Sequence, residues 1–250
     1  MTDELELLGK RFIELSRKAD NGYYTFSDFL GLQEQATLAT VKAKLYTKYT
    51  PFGGAVGAER VIVRFGDPEA IGYEEDFPIV TLKVTPKSDR FADRLTHRDF
   101  LGTILALGIE RATVGDIVIR DNVGYVFLSD KIAEYVKDSL TRIKHTDVRC
   151  EIVDGAPEGE LYKTEMKRIQ ANGERLDAIV AKVFCMSRDD ASLLFKKRLV
   201  FADGREIESV SYNPKEGQVI SVRGYGRFIY RGYDSLTKKG KKNIDVEVYI

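Results

Sequence analysis

Cysteine is scarce in this chain of 250 residues: Cys150 and Cys185 are the only two, and they do not form a CxxC pair. They support neither a disulfide framework nor a zinc site, and read as two ordinary thiols of the cytosol. Net charge is missing as well, because 39 Lys+Arg cancel 39 Asp+Glu, so the whole-chain charge says nothing about a polyanionic partner. No apolar run approaches the roughly 20 residues needed to span a bilayer. The first residues, MTDELELLGKRF, carry acids where a secretory leader carries positive charge. A cytoplasmic protein with no membrane partner is expected.

What is present is enough for real cores, at 43% hydrophobic residues, and the length argues for two or three domains. Charge is unevenly distributed. From Leu161 to Ile250 there are 18 Lys+Arg against 12 Asp+Glu, which leaves 21 against 27 for residues 1–160. An acidic front and a basic back point to a C-terminal part that meets a polyanion.

Read in order, Asp3 and Glu6 can cap a helix whose apolar positions Leu5, Leu8, Phe12 and Leu15 share a face, and the helix should stop at Asp20-Asn21-Gly22. A second helix is expected after Ser27 through the Gln33–Tyr46 region. Tyr49 to Gly54 breaks it, and one strand, Arg60–Phe65, follows. Residues 1–72 are thus a mainly helical domain.

Residues 73–154 carry a different pattern. Val80, Leu82 and Val84 alternate with polar residues as a half-buried strand does. Thr96 caps a helix with Phe100, Leu101, Ile104 and Leu105 inward and Gly108 as its left-handed end. Strands 116–120 and 124–128 meet through Asp121-Asn122. Ser129 opens a helix with Ile132, Tyr135, Val136, Leu140 and Ile143 inward, and 148–153 is a last strand. Strand, helix, strand, strand, helix, strand is the ferredoxin-like βαββαβ order within an α+β protein. Tyr125 and Phe127 fall on a central strand, but the Lys/Arg-Gly-aromatic opening of an RNP1 motif is absent, so packing is the larger reading. Residues 154–159, DGAPEG, read as a linker.

The stretch Arg175–Arg205 is the most specific in the chain. Leu176, Ile179, Val180 and Val183 give a helix with one buried stripe, and Ser187 caps a second helix with Ala191, Leu194 and Phe195 inward. Strands 200–202 and 205–207 close through Asp203-Gly204, and further strands are expected at 219–222, 227–230 and 244–250. Because the apolar stripes face inward, Arg175, Arg188, Lys196, Lys197, Arg198 and Arg205 are driven to the outside. Such an array suits a phosphate backbone, since arginine grips phosphate oxygens with paired hydrogen bonds. A merely solvated charged face is the bland alternative.

Residues 175–222 resemble the RNA-binding module named after the fourth protein of the small ribosomal subunit, the S-four-type (αL) module. The resemblance rests on Arg175-Leu176-Asp177, on Ser187-Arg188 with Ala191, on Asp203-Gly204 and on PKEGQVISV, residues 214–222. Arg198 stands where the pattern usually has glycine, and Asp203 where it usually has asparagine. The whole chain is similar to the YlmH family, through Phe52-Gly53-Gly54 with Ala58-Glu59-Arg60, residues 95–102 (LTHRDFLG), and Leu107-Gly108-Ile109 with Gly115-Asp116-Ile117.

That resemblance implies an S-four-type domain over 160–250 and RNA contacts from Arg175, Asp177, Ser187, Arg188, Lys196, Lys197, Arg198 and Arg205. It also implies a factor, not an enzyme, that needs no cofactor or metal. Such a factor binds ribosomal RNA of the large subunit and peptidyl-tRNA, in ribosome-associated quality control that adds a C-terminal tail to the stalled nascent chain, alongside other quality-control factors. An RNA-modifying enzyme acting on ribosomal RNA and a protein-interaction scaffold linked to cell division are the alternatives.

Enzyme motifs fall short. His97-Arg98-Asp99 imitates a kinase catalytic loop, but Ile104 stands where that loop needs Asn. Gly224-Tyr225-Gly226 lacks the third glycine of a dinucleotide loop and reads as a turn, and Gly53-Gly54 with Gly57 lacks the Gly-Lys-Ser/Thr of a P-loop. Gly173 to Asp177 imitates a pseudouridine synthase, but Asp177 lies inside the first helix of the module, where it positions Arg175 or caps the helix. His145 stands alone and is expected at a helix end.

Overall fold

Helix α1 (Thr2–Ala19) packs Phe12 and Leu15 inward and ends where Gly22 turns at a φ of 89°. The structure, a computed structural model, describes residues 2–88, 90, 92–155, 162–237 and 240–249. Strand β1 (Thr25–Phe26) leads to α2 (Leu32–Val41), and the predicted break at Tyr49 to Gly54 is instead the start of β2 (Tyr49–Phe52). Strand β3 (Ile62–Phe65) lies between β1 and β2. Three strands therefore stand where one was expected. Pro51 is tolerated because β2 is an edge strand, where a missing ladder donor costs little. A single turn, α3 (Pro68–Ile71), is capped by Asp67 and closed by Gly72 at φ 91°.

Strand β4 (Ile79–Pro86), helix α4 (His97–Ala106), strands β5 (Val114–Arg120) and β6 (Val123–Ser129), helix α5 (Asp130–Ser139) and strands β7 (Arg142–Ile143) and β8 (Thr146–Val153) follow. The strands form an antiparallel sheet in the order β5-β6-β4-β8-β7. Asp121 and Asn122, at φ 48° and 63°, make the tight β5–β6 turn. The core between sheet and helices holds Leu82, Val84, Phe100, Ile104, Val126, Leu128 and Val136. Two expectations for α5 are corrected: Ile143 belongs to β7, and Tyr135 is exposed, its hydroxyl donating to the Leu107 carbonyl at 3.2 Å.

On the other sheet face Phe127 is fully buried, touched by Gly54 and Gly115. A Cβ on Gly54, at φ 93°, would lie 2.5 Å from the Phe127 ring, and one on Gly115 would lie 2.7 Å from Phe29. Glycine at these two positions lets the N-terminal helices and strands settle on the sheet. Residues Met1–Leu161 accordingly form one compact unit, and packing, not ligand contact, accounts for Phe127.

Tyr162–Ile250 form the second unit. Its elements are β9 (Thr164–Ala171), α6 (Leu176–Val183), α7 (Arg188–Lys196), β10 (Val200–Ala202), β11 (Arg205–Glu206), β12 (Val219–Val222), β13 (Gly226–Leu236) and β14 (Lys242–Tyr249). The sheet order is β11-β10-β12-β13-β14-β9. Leu176, Ile179, Val180, Ala191, Leu194 and Phe195 pack against Val200, Ile220, Phe228 and Val246. Strand β13 runs six residues past its expected end, paired with β14 through irregular register at Tyr233. The proposed linker lies largely outside the described residues, as do Lys238 and Lys239.

Candidate nucleic-acid interface

The sequence Arg175-Leu176-Asp177 places an arginine at the N-cap of α6 and a carboxylate in its first turn. Leu176 goes inward with the apolar stripe and takes Asp177 with it, so Asp177 is only 2% exposed. A carboxylate in that position must be satisfied. Arg175 donates to it from Nε (3.2 Å) and Nη2 (3.1 Å), and Arg188, opening α7, donates from Nε (3.0 Å) and Nη2 (3.5 Å). The Ala178 amide adds a bond of 2.9 Å. Asp177 therefore does both things the sequence left open: it positions arginine and it satisfies an N-terminal helix amide.

Burial would push the Asp177 carboxyl up, but the hydrogen bonds and charges of Arg175 and Arg188 hold it below the usual carboxylate range. It stays ionised at neutral pH. Each guanidinium has five N–H donors, and both arginines use the Nε edge on Asp177. Their Nη1 ends carry no hydrogen bond among the described residues, and both side chains are about half exposed. Each guanidinium thus keeps donors beyond those spent on Asp177, of the kind that phosphate oxygens can accept.

The remaining predicted residues fall into distinct roles. Ser187 caps α7, accepting from the Asp190 amide at 3.1 Å and donating to its carboxylate at 2.6 Å. Lys196 and Lys197 are exposed at the end of α7 and make no ion pair among the described residues. Arg198 is exposed but turned to Glu206 (3.3 Å) and Glu208 (3.8 Å). Arg205 is exposed on the short edge strand β11. Of these residues Asp177 is buried beneath the two arginines and Ser187 is engaged by its own helix.

Both helices end in the same way. Met186 N–H donates to Ala181 O (2.9 Å) and Leu199 N–H to Leu194 O (3.0 Å), which requires a left-handed residue in between. Cys185 at φ 54° and Arg198 at φ 57° fill those places. This backbone favours glycine at position 198, and arginine adopts it at some cost. Asp203, at φ 47°, accepts from the Val219 amide and from Gln218 Nε2, both at 3.0 Å.

One exposed cation escaped the sequence reading. Arg223 follows β12, its amide donates to Leu199 O at 2.9 Å, and its guanidinium lies 4.5 Å from the Phe201 ring centre. Its only signal was a place directly after the 214–222 stretch.

The enzyme-like features elsewhere are accounted for locally. Asp99 completes the Thr96 cap and pairs with Lys144 at 2.8 Å; that bond and those from Thr96 lower it to about 2. His145 lies in the β7–β8 turn, not at a helix end, and its amide donates to Asp93. Among the described residues no group of three His, Cys, Asp or Glu side chains is placed to hold a metal ion, and no helix is long and apolar enough to cross a membrane.

Comparison with known proteins bears on residues beyond this site. Residues 73–156 match the family model described as "Putative RNA-binding domain in YlmH". The solved structure of the cell division protein ylmH from Streptococcus pneumoniae superposes with a TM-score of 0.51 at 18% identity, covering 60% of this chain and 91% of that one, a likeness of fold. The ribosome-associated protein quality control protein P2 of Bacillus subtilis (strain 168) is 30% identical over 227 residues, 88% of this chain and 86% of that protein. With identity sustained across nearly the full length of both proteins, and the domain model matched in between, the chain belongs to the YlmH family.

Proposed function

We propose that this chain is a non-enzymatic RNA-binding factor that works on the ribosome. In this reading, residues 73–154 are a ferredoxin-like domain and residues 160–250 an S-four-type module. The observation that carries it is the pair of guanidinium groups fixed on the buried Asp177 carboxylate, with both arginine side chains about half exposed. The basic excess of residues 161–250 supports the same reading, as do the name of the Bacillus subtilis relative and the RNA-binding family model.

The RNA is ribosomal RNA of the large subunit together with peptidyl-tRNA, and the setting is quality control of stalled nascent chains. Arg175 and Arg188 contact phosphate directly. Lys196, Lys197, Arg198 and Arg205 extend the field, and Asp177 and Ser187 hold the frame. Asp177, the one acid at the centre, is ionised, buried and committed to two arginines, which fits positioning and not proton transfer.

Sedimentation of the full chain with purified large subunits tests the proposal. Arg175→Ala with Arg188→Ala should abolish co-sedimentation at moderate salt. The wild-type affinity should fall with salt at a log–log slope of about −0.7 to −0.9 for each neutralised phosphate. Unchanged binding by the double variant, or a flat salt response, overturns it.

A further inference from the structure

The Gly224-Tyr225-Gly226 turn has a feature that turn-making alone does not require. Register closes the β12–β13 hairpin at Val222 and Gly226, so Arg223, Gly224 and Tyr225 form its tip. Gly224 at φ 87° and Gly226 at φ 136° bend the backbone tightly on either side of Tyr225. Tyr225 as a residue is 54% exposed, yet its ring has an aromatic neighbour. It tilts against Phe184 at 6.0 Å between ring centres, and Phe184 leans on the buried Phe228 at 6.1 Å. An aromatic ring on a residue so exposed is ready to cover a second flat surface.

Its surroundings identify that surface. Phe184 is the C-cap of α6, three residues before the cap of α7, and α7 begins with Arg188. On the other side of the tip, Arg223 is bonded through its amide to Leu199, just past Lys196 and Lys197 at the end of α7. The hairpin tip thus touches the chain on both sides of the helix that carries the exposed cations. Arg223 makes no ion pair with an acid among the described residues, whereas Arg168, Arg198 and Arg231 are each matched to carboxylates. A ring beside Arg223, an arginine matched to no acid among the described residues, suits a nucleotide, whose base stacks and whose phosphate is anionic.

We propose that Tyr225 is a stacking platform for an unpaired base of the bound RNA, and that Arg223 holds the phosphate next to it. This rests on the RNA-binding reading of the second unit and adds a contact type to it. The α6–α7 edge grips backbone, while the hairpin tip selects RNA with a splayed base.

The test uses the full chain with two probes: purified large ribosomal subunits and the protein-free RNA extracted from them. Tyr225→Ala should weaken binding to both by about tenfold, the range of one lost base stack, with the salt slope unchanged. Tyr225→Phe, which keeps the ring and its packing on Phe184, should bind as wild type does. Arg223→Gln should flatten the slope by about one phosphate. The chain contains no tryptophan, so Tyr225→Trp supplies a single tryptophan whose selectively excited emission should be quenched as the protein-free RNA binds.

Binding by Tyr225→Ala equal to wild type, or a Tyr225→Trp emission unchanged while RNA binds, overturns the inference and leaves the phosphate grip standing. A defect with subunits but not with protein-free RNA overturns it too, because the ring would then be meeting ribosomal protein. If the wild type binds neither probe, the RNA-binding reading has itself failed, and the inference with it.

Discussion

The Asp116 carboxylate accepts the backbone N–H of Glu59 at 2.6 Å, joining β5 to a loop 57 positions earlier in the chain. The next amide, Arg60, reaches the other oxygen at 3.3 Å, and the Arg60 side chain continues to the carbonyls of Val114 (2.9 Å) and Phe29 (2.8 Å). The Ala58-Glu59-Arg60 stretch is therefore the seam that joins the N-terminal elements to the five-stranded sheet. Asp116→Ala strips two amides of their acceptor and should cost about 2–3 kcal/mol. Urea unfolding monitored within residues 1–161 should show both parts weakened together, since they share one compact unit.

Gly54→Ala attacks the same seam from the packing side. The new methyl would lie 2.5 Å from the Phe127 ring on a backbone at φ 93°, so steric overlap and left-handed strain act in the same direction. A loss of about 2–4 kcal/mol is expected. Gly57→Ala is the control: its φ of 84° carries strain, but nothing lies within 4 Å of the added carbon. The difference between the two in denaturant midpoint isolates the contact with Phe127 and its neighbour Ile79.

Asp99 makes a pH prediction. Its carboxyl is held at about 2, against an ordinary value of 3.8, by hydrogen bonds from Lys144 and Thr96. A depressed folded-state value means the stabilisation is fully present above about pH 4 and is lost as pH falls towards 2. Wild type should therefore be more stable than Asp99→Asn at neutral pH, and the gap should close across that acid window. A gap that persists unchanged at pH 2 would contradict the assignment.

Cys185 offers a change in the stabilising direction. It is exposed, holds a left-handed φ of 54° at the end of α6, and its thiol makes a long contact of 4.0 Å with the Lys182 carbonyl. Cys185→Gly should raise stability by about 1 kcal/mol, because glycine meets no Cβ clash there. A shift of the thermal midpoint upwards, with RNA binding preserved, is the expected result.

Elements with a clear period were legible in the sequence. Leu176, Ile179, Val180 and Val183 line one side of α6, and all four are buried. Thr96 with Asp99 forms the capping box that its spacing suggests. The misses have physical causes. Strand β2 contains Pro51 and precedes two glycines, which reads as a breaker unless edge position is known. Residues 231–236 of β13 are mostly exposed, so no alternation of apolar residues marked them. Ile143 kept the helical period of α5 but is drawn into β7 by its pairing with Thr146. Within the site, the Arg-Leu-Asp triplet was readable, whereas the approach of Arg188 to Asp177 depends on how α7 packs on α6. Gly224-Tyr225-Gly226 was readable as a turn, but the exposure of its tyrosine is a property of the folded hairpin.

The shared carboxylate has one more consequence. Arg175 and Arg188 neutralise the same ion, so each sets how tightly the other is held. Removing one hands the whole of Asp177 to the survivor, which is drawn inward and presents less of its charge to a ligand. The two single replacements should then each cost nearly as much affinity as the pair, and a double-mutant cycle should return a coupling of about 1 kcal/mol or more. Arg175 and Arg188 would act as a single divalent group whose spacing is set by the acid beneath them.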